Sequence, residues 1–290
     1  MGNARVREVV TLAGYRAMKA LVNLSRTTLV FAVLALGAIV VSSVVLSQPA
    51  AHGPVVDRGI PATLLRWLPV ILLGPKDEFG GFALDIIVSF LAMGIGTILG
   101  LLLGIAQISL RRSVRSFAWT ITQFFRNSPW LVLLFFVIML VPFKIQMGAE
   151  VIPFPAWLKA TLGLALPIMG NVSEIVRGAI NSIPKGQWEA STSLALTRNQ
   201  VLWLVILPQC VKRMLPPWMN WYAILTMATP LISIVGVNDA MTMTQDALAA
   251  EARSQLLIPM YLMLLVLFFC YCYPIARLTQ YLERKFALVQ

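Results

Sequence analysis

The stretch from Ile86 to Leu110 reads IIVSFLAMGIGTILGLLLGIAQISL and carries no charged residue. Its apolar residues do not alternate with polar ones, and about 20 residues of helix are enough to cross the hydrocarbon core of a bilayer. Because only helices and closed barrels satisfy every backbone group in lipid, this stretch predicts a transmembrane helix. Gly96, Gly100 and Gly104 recur every four residues, which predicts a smooth face for close helix packing. A dinucleotide-binding loop is excluded, because no strand precedes these glycines and no acidic residue follows them.

The composition extends this interpretation to the whole chain. Of its 290 residues, 59% are apolar and 12% are charged, whereas about 25% are charged in soluble domains. This excludes a disordered chain and a small disulfide scaffold. The net charge of +11 does not indicate a nucleic-acid partner, because membrane proteins collect Lys and Arg in cytoplasmic loops. We expect the three cysteines to pack as apolar residues, and the single histidine, His52, leaves no pair for a metal site.

Five further apolar runs predict an all-α, polytopic membrane protein with about six transmembrane helices. These runs are Leu29–Leu46 (within the uncharged stretch Thr27–Val56), Ser116–Phe143, Leu158–Ile180, Met214–Asn238 and Ser254–Ala276. The first run could instead be a cleaved signal peptide. We prefer a retained helix, because a signal peptide has an apolar core of only about 7–15 residues.

The distribution of basic residues predicts the orientation. Six spans place both termini on one side, and the segments on that side, together with Arg126, hold 17 of the 23 Lys and Arg residues. The positive-inside rule makes this side cytoplasmic. We therefore predict a basic cytoplasmic segment at 1–26, an N-terminal transmembrane helix at 27–47 and an extracytoplasmic loop at 48–80. The prolines of that loop argue against a long helix, and its stretch 64–73 is expected at the membrane interface.

A polar segment follows the fourth span and reads IPKGQWEASTSLALTRNQ from 183 to 200, then VLWLVILPQ to 209. We expect Pro184 and Gly186 to end the membrane helix. A short amphipathic helix is predicted to begin near Gln187, with Glu189 in its first turn, where a carboxylate suits the helix dipole. Its expected apolar contacts are Trp188, Leu194 and Leu196, and Pro208 is expected to end the segment after this helix. Such a helix could transmit force from a soluble partner, or could lie on lipid as a linker.

This segment resembles the EAA coupling loop of permease subunits of ATP-binding-cassette (ABC) importers, most of all the polar amino acid (histidine/glutamine/arginine-type) branch. The residues that agree in order with that pattern are Glu174, Arg177, Gly178, Ala179, Pro184, Lys185, Gly186, Gln187, Glu189, Ala190, Leu194, Leu196, Leu207, Pro208 and Gln209. FRNSP at 125–129 is similar to the family's F-R-G-T-P, and LISIVG at 231–236 to its L-V-S-V-I-G. The similarity covers about residues 80–285.

The resemblance implies a permease domain at 81–285, in which a five-helix core follows the extra first helix. It implies a coupling loop at about 184–213, whose ATPase-coupling residues are Lys185, Gly186, Glu189, Ala190, Ala195, Leu207 and Pro208. It also implies a bacterial inner-membrane location, an ATPase dimer that binds ATP and Mg, a second identical or homologous permease, and an extracytoplasmic solute-binding protein. The chain has no phosphate-binding G-x-x-x-x-G-K-[ST] sequence, so we expect no catalytic residue and no cofactor in it.

The implied function is a pathway for a polar amino acid or a related small polar solute. A secondary transporter or channel would need no ATPase. It would call for intramembrane acids or an inverted repeat, and neither is clear in the sequence. A membrane scaffold fits the composition but does not explain the coupling-loop pattern.

Two departures from the family pattern carry structural expectations. Ala195 stands where the family has a turn glycine, so we expect the local turn to be helical. The sequence Met227-Ala228-Thr229-Pro230 stands where many relatives have K-D-T-S. The fifth span therefore lacks both charges, which argues against a charged solute contact there. Pro230 is expected to kink or unwind the span.

Two polar stripes are candidates for the solute pathway. Asn171, Glu174 and Gly178 share a face of the fourth span, and Thr226, Thr229 and Ser233 share a face of the fifth. Each stripe could line a water-filled path or form interhelical hydrogen bonds. An i, i+3 spacing also predicts an ion pair between Glu174 and Arg177.

Overall fold

The computed structural model describes residues 59–75, 78–147 and 150–287. The predicted segments at 1–26 and 27–47 lie outside the described residues. The helices are α1 (Ile60–Leu73), α2 (Gly81–Gln107), α3 (Arg112–Arg126), α4 (Trp130–Leu140), α5 (Ala156–Asn181), α6 (Lys185–Ser193), α7 (Leu207–Ala228), α8 (Ala240–Glu251) and α9 (Leu257–Ala287). A short antiparallel hairpin, β1 (Lys144–Met147) with β2 (Glu150–Pro153), is the feature that the all-α prediction does not contain.

Helix α5 is the centre of the fold. Helices α2, α3, α4 and α7 all pack against it, and most of its residues are buried. At 26 residues it is about 39 Å long. By length and apolar composition, α2, the segment Arg198–Val235 and the segment Ser254–Lys285 are candidate spans, and α3 with α4 makes a fourth if the pair is one broken span. Helix α5 is less apolar, because it faces protein on most sides rather than lipid.

The predicted smooth face of α2 is confirmed. Gly96, Gly100 and Gly104 lie against Ile168, Val172 and Val176 of α5, respectively. A Cβ atom on Gly100 would lie 2.7 Å from the Cβ of Val172 and 2.9 Å from the carbonyl oxygen of Met169. The two backbones can therefore approach only because these positions have no side chain.

The third predicted run does not form one straight helix, so the single span at Ser116–Phe143 is wrong in shape. Helices α3 and α4 meet at 105°. The side chains of Asn127 and Ser128 donate back to the carbonyl oxygens of Gln123 (2.7 Å) and Phe124 (2.6 Å). Pro129 then precedes α4. These side-chain bonds compete with the helix ladder, and a proline disfavours helical geometry at the residue before it.

The fifth span is a composite helix. A helical turn at Arg198–Gln200 and a π-helix at Val201–Ile206 lead into α7, and a 3₁₀-helix follows at Thr229–Val235. The unwinding expected at Pro230 is confirmed. The expectation that Pro208 ends the segment after the short helix is wrong, because the chain continues through Pro208 from the π-helix into α7.

A second, smaller core joins α1, α8 and α9. Its buried residues include Ile71, Phe82, Met243 and Met260. Helix α1 is also held by Trp67, whose Nε1 donates to Oε1 of Glu251 in α8 at 2.9 Å. Part of the predicted 48–80 loop is therefore a packed helix of 14 residues.

The three cysteines are free thiols. Cys210 and Cys272 are buried, as expected of packing residues, whereas Cys270 is exposed. The expectation of apolar packing is therefore wrong for Cys270.

Candidate functional site

Helix α6 carries the centre of the loop that resembles a coupling element. It begins at Lys185, directly after Pro184, two residues earlier than predicted. Glu189 is therefore its fifth residue rather than a member of its first turn, and the expected favourable position in the helix dipole is wrong. Pro184 was interpreted only as the end of the membrane helix. Its fixed φ of −55° also allows the next helix to begin directly after it.

The predicted coupling residues of α6 share one exposed face. Lys185, Gly186, Glu189 and Ala190 are all exposed, and at 100° per residue they span one side of the helix. Nothing lies within 4 Å of a Cβ atom built on Gly186. This face is therefore open to contact from outside the chain.

The opposite side of α6 is attached to the membrane helices. Ser191 is buried, and Trp188 and Leu196 pack against the main hydrophobic core. Leu194 is 76% exposed, so its expected role as an apolar contact is wrong. Further along, Leu207 packs against the core and Pro208 is exposed.

Polar contacts join the loop to the ends of long helices. Arg198 donates to the carbonyl oxygen of Ile108 after α2 at 3.2 Å. Arg213 of α7 donates to the carbonyl oxygen of Ser182 after α5 at 2.7 Å. One bond therefore joins the turn after α6 to the end of α2, and the other joins α7 to the end of α5.

Ala195 adopts a φ of 55°, so the helical turn expected there is wrong. The chain keeps the left-handed turn that suits glycine, although a residue with a Cβ atom pays about 1–2 kcal/mol for that conformation. A capping box follows, in which Thr197 and Gln200 bond each other's backbone. That T-x-x-Q pattern was readable in the sequence and marks the start of the next helix.

An open cleft of about 670 Å³ lies beside α5 and α7. Its lining includes Arg126, Asn171, Glu174, Gly178, Ser182, Lys212, Arg213, Trp221 and Glu283. All three residues of the first predicted polar stripe line this cleft. The cleft is mixed in charge, since it holds three basic side chains and two carboxylates.

Glu174 is the most contacted charge in the cleft. The predicted ion pair with Arg177 is confirmed. Two further groups join it: Nε2 of Gln123 donates at 3.3 Å, and Nη1 of Arg126 lies 3.8 Å from Oε2. The carboxylate is thus shared between α3 and α5. Arg126, which the sequence indicated only through its basic charge and the FRNSP resemblance, belongs to the cleft.

The second predicted stripe lies elsewhere. Thr226 and Thr229 are fully buried, and the hydroxyls of Thr226, Thr229 and Ser233 donate to the carbonyl oxygens of Tyr222, Thr226 and Pro230. These hydroxyls are satisfied within their own helix. They do not line the cleft.

Two acidic residues that the sequence patterns did not indicate are buried in the structure. Asp85 of α2 and Asp239, which caps α8, are both fully buried. Oδ2 of Asp85 accepts from the backbone N–H of Ala240 at 3.2 Å, and Oδ1 of Asp239 accepts from that of Thr242 at 2.9 Å. The other oxygen of each carboxylate has no hydrogen-bond partner among the described residues. Burial raises the pKa of Asp239 to about 6.

Comparison with protein families identifies the chain. A family model described as "Binding-protein-dependent transport system inner membrane component" matches residues 96–288. The chain belongs to this family. The predicted family and helical fold are confirmed, and the permease is a multi-pass protein of the inner membrane.

Individual relatives and a solved structure agree. The permease is 29% identical over 209 residues to "Inner membrane amino-acid ABC transporter permease protein YhdY" of Escherichia coli, covering 72% of this chain but only 56% of YhdY. It is 32% identical over 207 residues to "Probable amino-acid ABC transporter permease protein YckA" of Bacillus subtilis, covering 71% and 88%. A structure described as "Crystal structure of an amino acid ABC transporter with histidines" superposes with a TM-score of 0.60 at 24% identity, covering 71% and 92%, and supports the fold.

Proposed function

We propose that the permease forms the solute pathway of an ATP-driven importer for a polar amino acid or a related small polar solute. It couples to a cytoplasmic ATPase dimer through the 184–209 loop. The observation that carries this proposal is the two-sided construction of α6. One side presents Lys185, Gly186, Glu189 and Ala190 to the outside, while Trp188 on the other side packs against the main hydrophobic core.

The cleft supports the same function. It is open, it is partly polar, and it lies between helices that the loop contacts. Asn171 and Glu174 line it within the membrane-embedded part of α5, where ionisable groups are costly unless they serve a pathway or a pair. A movement of α6 that shifts α5 relative to α7 would change the width of this cleft. The second stripe, Thr226, Thr229 and Ser233, does not line this cleft, so its proposed contact with the solute would lie in a part of the path outside the cleft.

The solute class and the partners rest on the relatives. YhdY and YckA are named as amino-acid permeases of ABC transporters, and the family description specifies binding-protein-dependent transport. The permease would accordingly work with an extracytoplasmic solute-binding protein and with a second, identical or homologous permease. ATP and Mg would be bound by the ATPase. Both termini are proposed to be cytoplasmic, which a reporter fused after Gln290 would test.

A charge reversal on the exposed face of α6 tests the coupling. We expect Glu189→Lys to abolish ATP-driven uptake and to reduce the Mg-ATP hydrolysis that co-purifies with the tagged permease. Because Glu189 is exposed, the amount of folded permease should not change. Asp246→Lys makes the same charge reversal on the exposed side of α8, outside the 184–209 loop, and should retain both activities.

Two results would contradict the proposal. Wild-type uptake and ATPase recovery in Glu189→Lys would remove α6 from the coupling interface. Uptake into proteoliposomes that contain the permease without any ATPase would instead indicate a secondary transporter or channel.

A further inference from the structure

A second cavity, of about 640 Å³, lies where α2 ends and α3 begins. Its lining residues are Gln107, Arg112, Ser113, Arg115, Ser116, Trp119 and Arg177. It shares no lining residue with the cleft described above. The coupling and pathway functions therefore leave this cavity unused.

The cavity is strongly basic. Three arginines line it and no carboxylate does. Arg177 is paired with Glu174. The side chains of Arg112 and Arg115 make no hydrogen bond and no ion pair with any residue that the structure describes. Two guanidinium groups are thus available, and guanidinium is the side chain best suited to bind phosphate with two parallel hydrogen bonds.

Four of the lining residues lie on the same face of α3. Arg112, Arg115, Ser116 and Trp119 have the i, i+3, i+4, i+7 spacing of a single helix face. Arg111, the residue before α3, provides no side-chain cap, so the first amides of the helix add to the positive potential.

The wall also holds an unused acceptor. Gln107 is 4% exposed, and its Oε1 has no hydrogen-bond partner among the described residues. Its Nε2 is already committed to Thr122 at 3.0 Å. A buried acceptor without a donor is costly, and a ligand that brings a hydroxyl beside its phosphate would satisfy it.

The surroundings point to a lipid rather than a soluble anion. Trp119 is 53% exposed and Phe117 is 70% exposed on the same helix, and Leu110, just before it, is 72% exposed. Large apolar side chains at this level face acyl chains, and tryptophan favours the interface between headgroups and hydrocarbon. The basic segment belongs to the side predicted as cytoplasmic, where anionic headgroups bind basic pockets between helices.

We propose that this cavity binds the phosphate of an anionic, hydroxyl-bearing membrane lipid such as phosphatidylglycerol. Arg112 and Arg115 bind the phosphodiester, Gln107 accepts from the headgroup hydroxyl, and Trp119 contacts the acyl chains. The bound lipid joins the start of α3 to the end of α5 through Arg177. This inference does not depend on the coupling function proposed above.

The test is lipid-dependent stability of the purified permease in nanodiscs. We expect replacement of part of the phosphatidylcholine by phosphatidylglycerol to raise the melting temperature in a saturable way. Two lost charges near the membrane surface should weaken the interaction about 30-fold. The double variant Arg112→Gln/Arg115→Gln should therefore require about 30-fold more phosphatidylglycerol for the same shift.

A matched control removes the same charge elsewhere. Arg284→Gln/Lys285→Gln also lowers the net charge by two at the exposed end of α9, and should keep the wild-type lipid response. Gln107→Leu should selectively reduce the preference for phosphatidylglycerol over an anionic lipid with no headgroup hydroxyl.

Three outcomes would overturn the proposal. If both double variants respond alike, the effect is general membrane charge. If inorganic phosphate produces the same shift in phosphatidylcholine nanodiscs, the site takes a free anion and not a lipid. If Arg112→Gln/Arg115→Gln loses ATPase recovery but keeps the lipid response, these arginines belong to a protein interface.

Discussion

Helix α2 is held in two very different ways at its two ends. Along its glycine face, Gly96, Gly100 and Gly104 pack against branched side chains of α5 with no space left. Near its first turn, Asp85 lies buried beside the N-terminus of α8 and leaves one oxygen unpaired among the described residues. The first contact depends only on shape, while the second depends on charge and protonation. The same helix is therefore fixed by close packing along its glycine face, whereas its contact near Asp85 depends on protonation.

The physical chemistry of the two contacts explains the difference. Close packing of apolar groups is insensitive to pH, and its loss is felt immediately because interiors tolerate little overpacking. Two buried carboxylates repel each other unless one is protonated. The acidic junction formed by Asp85 and Asp239 is consequently a contact whose stability responds to pH.

The strongest expected effect comes from filling the glycine face. In Gly100→Val, the new Cβ atom would stand 2.7 Å from that of Val172 and 2.9 Å from a backbone oxygen. Neither neighbour can move without displacing α5, so we expect loss of the monodisperse peak in size-exclusion chromatography. Gly94→Val is the control, because nothing lies within 4 Å of a Cβ atom there, and it should elute as wild type. A monodisperse Gly100→Val protein would contradict the close packing.

The second prediction concerns pH at the acidic junction. The pKa of Asp239 is raised from 3.8 to about 6, so the folded state holds this proton more tightly than the unfolded state. The resulting stabilisation is complete below pH 3.8 and is lost as pH rises through 6. It corresponds to about 2–3 kcal/mol.

This difference is measurable as melting temperature against pH, from about 4.5 to about 7.5, a window that brackets the raised pKa. Asp239→Asn keeps the oxygen that caps α8 and should flatten the wild-type decline. Asp246→Asn, on the exposed side of α8, should leave the decline unchanged. An equal slope in wild type and Asp239→Asn would show that this carboxyl does not titrate in the window.

A third, smaller effect is expected at a buried polar contact beside the glycine face. The hydroxyl of Thr122 accepts from Nε2 of Gln107 at 3.0 Å and lies 2.9 Å from the hydroxyl of Ser173. Thr122→Val preserves the shape but removes this hydroxyl, which should cost about 1–2 kcal/mol of unfolding free energy. Thr120→Val alters an exposed hydroxyl of the same helix and should change stability by less than about 0.5 kcal/mol. Equal melting temperatures for the two variants would contradict the importance of the buried contact.

The smallest effect is expected from relieving the backbone strain at Ala195. Ala195→Gly relieves the left-handed conformation but increases the freedom of the unfolded chain, so we expect a net gain of at most about 1 kcal/mol. It should appear as slower hydrogen exchange at residues 193–197. Ala190→Gly, inside α6, should have the opposite sign and cost about 0.5–1 kcal/mol. Faster exchange in Ala195→Gly would contradict strain at this position.

Apolar runs and proline positions predict much of this fold. The run Ile86–Leu110 corresponds to α2, and Leu158–Ile180 to α5, with shifts of a few residues. Apolarity reports that a segment lies in lipid but not its direction. The bend between α3 and α4 was therefore missed, although Asn127, Ser128 and Pro129 together carried the signal.

The functional sites, like the fold, could be predicted from the sequence only in part. Family resemblance indicates the coupling loop, but only the structure shows which side of α6 is exposed. Asp85 and Asp239 were missed because each adjoins an uncharged run, and a search for such runs stops at the first charge. Whether a carboxylate at such a boundary is solvated or buried depends on the packing of α8, which no local pattern encodes.

The π-helix at Val201–Ile206 determines the phase of all the helix turns after it. A π-turn contains one residue more than the corresponding α-turn, and one residue corresponds to about 100° of rotation in an α-helix. Deleting a single residue from this segment would turn α7 by about that angle relative to the 184–200 loop. Lys212, Arg213 and Trp221, which line the cleft, would then point away from it. Six residues outside the cleft thus select the face that α7 presents to it.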